Sequence, residues 1–237
     1  MRRAGVRCLI GVVAILVASQ ATQAQSIQWQ GQSFTASGVT ASIVRLHGEE
    51  VLRVERDLRA IPFDSARLEA TVDEPTFVSL DGLAMRNGVV DVKVRARILP
   101  NTPFAAPQGF IGLAFRVAPG NRTFESIYLR PNIGRAENQA FRNHTVQYFS
   151  YPDFKFLRLR AEPLAAYETW ADVGLDEWIT LRLEFDGSRA ALYINGQRSP
   201  NFIVNPMKGE SVAGSVGLWV DIGTEGFFKD FRILRQQ

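Results

Sequence analysis

Apolar and polar residues alternate with a period of two through much of the chain. In 90–98, Val90, Val92, Val94, Ala96 and Ile98 fall on one side and Asp91, Lys93, Arg95 and Arg97 on the other. In 179–185, Ile179, Leu181, Leu183 and Phe185 oppose Thr180, Arg182 and Glu184. Such alternation marks half-buried antiparallel strands. Asp186-Gly187 is expected to turn the chain into a strand over 189–194, and Asn195-Gly196 to make the next turn. The pattern predicts further strands near 27–34, 40–46, 50–56, 109–118, 124–130, 144–151, 154–160, 200–204, 214–221 and 226–234. No stretch keeps a helical apolar period for three turns; short helical candidates lie within 135–141 and near 163–166. Short strands separated by turn signals predict an all-β, two-sheet antiparallel sandwich of jelly-roll type.

The N-terminus departs from this pattern. Arg2, Arg3 and Arg7 precede an apolar run over Leu9–Val17, and Thr22-Gln23-Ala24 places small residues at the −3 and −1 positions of a cleavage site. This is the arrangement of a secretory signal peptide cut after Ala24. The run is shorter than the roughly 20 apolar residues of a membrane span. The expected organisation is a leader, 1–24, and one domain, 25–237, secreted or periplasmic. The leader holds three arginines and no acids, so the remainder carries 27 − 3 = 24 basic and 24 acidic residues. Such a balance gives no electrostatic reason to expect nucleic acid or an anionic membrane as partner. Cys8, the one cysteine, leaves with the leader, excluding a disulfide, a thiol nucleophile or a cysteine metal site from the domain.

Candidate chemistry concentrates in Phe124–Tyr151. This stretch holds Arg130, Arg135 and Arg142, Asn132, Asn138 and Asn143, Gln139 and Gln147, His144, and Tyr128, Tyr148 and Tyr151. So many planar donors and acceptors suit a ligand covered in hydroxyls, an oligo- or polysaccharide first. The alternative is a polar loop held together by its own hydrogen bonds. Strand parity puts Tyr128 and Arg130 on one face and Glu125 on the other. Trp219 and Asp221 share a face and extend the ligand-binding candidates, Trp219 as a stacking platform. His47 and His144 stand without a second histidine at metal-ligand spacing, which argues against zinc.

From about residue 85 onward, segments 109–117, 124–130, 145–153, 177–197 and 214–234 follow in an order that resembles the concanavalin A-like lectin/glucanase superfamily. They are most similar to the bacterial 3-keto-disaccharide hydrolase domains. The matching features are Glu125 within a strand, the hairpin from Trp178 through Asn195-Gly196, and the closing segment from Gly214 through Phe231. Residues 25–84 carry no such likeness. The resemblance implies a concanavalin A-like sandwich with glycans bound on the concave face of one sheet and its bordering loops. It also makes Glu125 and His144 candidate catalytic bases, with Arg130 or Arg142 as a cationic stabiliser. Glu168 and Asp221 are candidates for a second acid. The Glu-x-Asp-x-(x)-Glu strand of the laminarinase-type members does not occur; Glu184 and Asp186 have its first spacing only. No cofactor is implied apart from a structural calcium ion, for which Asp221 and Glu225 around Gly223 would supply oxygens; a strand turn explains them equally well. Three readings stand: a carbohydrate-binding module, a glycoside-cleaving hydrolase or lyase, and a structural sandwich contacting another protein.

Overall fold

A computed structural model describes residues 25–162, 167–210 and 212–234. The expected leader and the helical candidate near 163–166 lie outside the described residues. Strands β1 (Ser26–Trp29), β2 (Gln32–Ser37), β3 (Val39–Leu46), β4 (Glu49–Arg56), β5 (Phe77–Leu80), β6 (Gly88–Ile98), β7 (Ile111–Val117) and β8 (Phe124–Leu129) make the first half. They are followed by β9 (Val146–Tyr151), β10 (Glu168–Thr169), β11 (Ile179–Asp186), β12 (Arg189–Ile194), β13 (Phe202–Val204), β14 (Ser215–Val220) and β15 (Thr224–Leu234). Among the described residues three short α-helices, α1 (Leu68–Thr71), α2 (Gln139–Arg142) and α3 (Phe156–Arg160), lie in the connections.

The strands form two antiparallel sheets. One has eight strands in the order β1-β2-β5-β14-β7-β8-β9-β10; the other has seven in the order β13-β12-β11-β6-β15-β4-β3. The protein is thus an all-β two-sheet sandwich, as the alternation predicts. Between the sheets, Ile111, Leu113 and Phe115 of β7 and Leu218 and Val220 of β14 meet the apolar sides of β6 and β11, all buried. Phe115 and Phe185 touch across the layer with ring centroids 4.9 Å apart.

Several local expectations change. The single strand expected over 27–34 is the hairpin β1–β2, because Gln30 and Gly31 both adopt positive φ (50° and 71°) and fold the chain back so that Trp29 pairs with Gln32. Asp186 pairs with Arg189, so the β11–β12 turn is Gly187-Ser188, one residue later than expected. The expected strand over 154–160 is instead α3. Its alternating Phe-Lys-Phe-Leu-Arg-Leu-Arg finds no strand edge to join, since β10 occupies the free side of β9 with Glu168 opposite Gln147. Lys155 anchors the helix by donating to the Glu69 carbonyl at 3.1 Å and pairing with Glu74, and Leu159 is buried beneath it. β5 and β10 have no clear signal in the alternation.

The eight-stranded sheet is buried on its second face too. Cross-strand register places Phe77, Trp219, Gly112, Tyr128 and Gln147 side by side on the face opposite Leu218 and Leu113. Trp219 packs against Tyr128 at 4.8 Å and against Phe149 at 5.5 Å; Phe124 reaches Phe77 at 5.2 Å. Gly112 makes room between the two largest rings: a Cβ there would lie 2.5 Å from the Tyr128 Cα. Two connections cover this row, one over 57–76 containing α1 and one over 152–162 containing α3. The Trp219 indole N–H donates to the Glu74 carbonyl at 2.9 Å, fastening the first cover to the sheet. Replacing Trp219 by Ala removes the centre of this layer. We expect a loss of about 3–5 kcal/mol in urea unfolding; a loss below about 1 kcal/mol contradicts the central place given to this ring.

Candidate functional site

Between the two covers a cleft of about 290 Å³ opens onto the outer face of the eight-stranded sheet. Its floor is set by strand ends. Tyr128 and Arg130 come from β8 and the residue after it, Asp221 follows β14, and Asp73 descends from the first cover. Phe104 and Phe110, from the β6–β7 connection, and Phe156, from α3, form apolar walls; Gln108, His144 and Arg160 stand among them. Phe104 packs on Phe110 at 6.2 Å, and Phe110 meets Tyr128 edge-on at 6.1 Å.

The floor is a tightly bonded polar network. Arg130 donates to the His144 carbonyl at 2.7 Å, the Tyr128 hydroxyl at 2.7 Å, Gln147 Oε1 at 3.2 Å and Glu168 Oε1 at 3.3 Å. Glu168 also accepts from Arg160 at 2.5 and 3.0 Å, and its Oε2 lies 2.7 Å from His144 Nδ1. Burial pushes the Glu168 carboxyl up, but Arg160, Arg130 and His144 together hold it below its ordinary value. Burial pushes the Tyr128 hydroxyl well above its own. Asp221 is held by Arg56 at 2.5 Å and by the backbone N–H groups of Asp73 (2.9 Å) and Ile222 (2.7 Å).

Asp73 differs from its neighbours. It is 2% exposed and adopts φ of 54°, a left-handed conformation that Asp tolerates better than most residues. Its Oδ2 accepts the Phe156 N–H at 2.7 Å, while Oδ1 accepts no hydrogen bond among the described residues. Burial, reinforced by the neighbouring Asp221, raises its pKa from 3.8 to about 7. No spacing in the sequence marks Asp73, Phe104, Phe110, Phe156 or Arg160, because three separate connections bring them together.

Of the sequence candidates, Tyr128, Arg130, His144 and Asp221 line the cleft. Gln147 and Trp219 are fully buried beneath it, so Trp219 supports Tyr128 and presents no open face for stacking. The amide-rich loop has most of its polar groups already bonded within the protein. Asn132 donates to the Pro107 carbonyl (2.9 Å), Asn138 caps α2 by accepting from Ala140 N–H (2.9 Å), and Gln139 donates to Asn143 (2.7 Å). Arg135 pairs with Asp172 and Glu177, and Arg142 lies 5.1 Å over the Trp170 ring. Glu125 lies away from the cleft, buried beside Arg116 at 3.1 Å and accepting from the Tyr148 hydroxyl at 2.6 Å. Burial raises its pKa, with Tyr148 and Arg116 opposing. Asp221 and Glu225, the calcium candidates, each bond an arginine, Arg56 and Arg53. No group of three or more His, Cys, Asp or Glu side chains converges among the described residues.

No family model matches the sequence, and neither does any curated protein. Solved structures do resemble it in shape. The carbohydrate-binding module CBM66 from Bacillus subtilis is 13% identical, with 84% of this chain and 96% of that one covered and a TM-score of 0.49. Domain 4 of AbnA, a GH43 extracellular arabinanase from Geobacillus stearothermophilus in complex with arabinotriose, is 13% identical over 86% and 83% of the chains, TM-score 0.44. The exoplasmic/lumenal domain of VIP36 in its Ca2+/Man3GlcNAc-bound form is 9% identical over 84% and 85%, TM-score 0.41. At such identities these likenesses concern the fold alone, and the sandwich itself follows from the strand order above.

The Asp73 shift has a sign that can be measured. Its folded pKa lies above the unfolded one, so between the two values the native state holds a proton that the unfolded chain has lost. Native stability from this group is therefore present at low pH and lost as pH rises towards 7. We expect the stability of the native protein, relative to Asp73→Asn, to fall by about 1.4 kcal/mol per pH unit from about pH 5 to pH 6.5 in urea unfolding. Parallel curves for the two proteins contradict the shift.

Proposed function

We propose that the protein is an exported carbohydrate-binding β-sandwich that holds one saccharide unit in the cleft on its eight-stranded sheet. The observation that carries this reading is the cleft's composition: aromatic walls against which sugar C–H groups pack, over a floor of bonded Tyr, Arg and Asp groups. At about 290 Å³ it stands at the small end of the roughly 300–1,000 Å³ typical of ligand pockets, which suits a single ring or the terminal ring of a longer chain. The leader-like N-terminus and the balance of 24 basic and 24 acidic residues beyond it (27 − 3 against 24) favour an exported protein with a neutral partner. The contribution of the 131–143 loop is reduced in this reading, since its amides and Arg135 are already bonded; Ile133 and Phe141 are the loop's members at the cleft.

A second reading, in which the cleft also transforms its ligand, is favoured by one feature. A buried carboxyl with a pKa near 7 is suited to proton transfer at neutral pH. Glu125 is a poor catalytic base in either reading, being enclosed by Arg116 and Tyr148 on the other side of the sheet.

Titration calorimetry of residues 25–237 with a panel of oligosaccharides, with the recovered sugars weighed by mass spectrometry, tests both. We expect binding that Phe104→Ala and Phe156→Ala weaken about tenfold or more, and that Arg135→Ala leaves within about twofold. Loss of binding with Arg135→Ala but not with Phe156→Ala moves the site to the loop. New smaller masses support turnover.

A further inference from the structure

We propose that a hydroxyl group of the bound saccharide donates a hydrogen bond to Asp73 Oδ1, so that filling the cleft is coupled to loss of the Asp73 proton. This rests on the saccharide reading above and extends it to one residue, one atom and a class of ligand. Asp73 is 2% exposed, lines the cleft and, among the described residues, commits only Oδ2, to the Phe156 N–H. The neighbouring carboxylate and guanidinium of the floor are bonded elsewhere. Asp221 is fully engaged by Arg56 and two backbone N–H groups, and Arg130 divides its donors among four acceptors. Among the described residues Oδ1 is therefore an uncommitted carboxylate acceptor of the floor, at the place where a ligand must lose water to enter; Gln108 Oε1 on the lining is a second acceptor without a partner. A carboxylate oxygen that gives up water as a ligand enters needs a replacement donor, and a ligand hydroxyl is a donor of the right kind.

The proton coupling follows from the groups that face Asp73. Asp221, from the end of β14, opposes its ionisation; Arg130, from the end of β8, and Lys155, just before α3, favour it. Arg56 of β4 is paired with Asp221, and Lys155 with Glu74, so neither is free to neutralise Asp73 fully. His144 and Arg160 also line the cleft and are bonded to Glu168. The empty cleft thus favours the protonated acid at mildly acidic pH. A sugar hydroxyl requires a lone pair on Oδ1 and favours the carboxylate, and the proton passes to buffer. The same charges select a neutral sugar: a carboxylated one would face Asp73 and Asp221 together and would favour the protonated acid.

The experiment is calorimetric titration with sucrose, maltose and cellobiose, in buffers of low and high ionisation heat, at pH 5, 6 and 8. We expect release of about one proton per sugar bound at pH 5 to 6, with affinity rising about tenfold from pH 5 to pH 6 and levelling off by pH 8. Asp73→Asn keeps an acceptor and tolerates the left-handed backbone, and retains His144 as it is; its affinity is expected to be independent of pH. Proton uptake, or a native affinity that does not change with pH, overturns the coupling while leaving the saccharide reading intact. No binding of any of the three sugars at any pH overturns both. Should Asp73→Asn fail to show a native circular dichroism spectrum, the proton count of the native protein decides alone.

Discussion

The carboxylate of Asp221 holds together the three parts of the molecule on which the cleft depends. It stands at the end of β14 in the eight-stranded sheet, and its ion pair with Arg56 reaches β4 of the other sheet with both side chains at 2–3% exposure. Its second oxygen accepts the backbone N–H of Asp73 in the covering connection. Arg56 continues the link by donating to the carbonyls of Ile61 (3.1 Å) and Pro62 (3.0 Å) in the same connection. A buried pair of this kind adds little net stability over an apolar replacement, but losing one partner strands a charge at a cost of about 3–5 kcal/mol. Its value here is positional: it fixes where the cover crosses the sheet, and so where Asp73 stands relative to Tyr128 and Arg130.

That arrangement also accounts for what the sequence reveals. Strands such as β6 and β11 bury one face against the other sheet, so their alternation is plain, and the sandwich can be read from it. β7, β8 and β14 are buried on both faces, the second beneath the covers. There the alternation no longer separates inside from outside, although parity still places Glu125 opposite Tyr128 and Arg130, as the structure has it. The alternating 154–160 segment becomes a helix because no sheet edge is open to it, a fact of tertiary structure that a local pattern does not contain.

The candidate site was half legible. Tyr128, Arg130, His144 and Asp221 stood out as polar residues at strand ends, and the structure brings them together. Asn132, Arg135, Asn138 and Gln139 stand out as polar loop residues, but Asn132 and Asn138 bond backbone groups, Gln139 bonds Asn143, and Arg135 pairs with Asp172 and Glu177. Composition alone does not distinguish a loop rich in donors that serves a ligand from one that serves itself. The aromatic walls were hidden for the opposite reason. Phe104, Phe110 and Phe156 look like ordinary core residues, and only the path of the covers leaves them bordering a cleft.

The central claim is that the ligand enters between the covers. It is tested most directly by following the tryptophan indole N–H and backbone amide signals in NMR during titration with the strongest-binding sugar. The account predicts shifts of the Trp219 indole and of the Asp73 and Phe156 amides, with Trp29 and Trp178 unmoved. Shifts confined to residues 131–143, or to the seven-stranded sheet around Trp178, would contradict it.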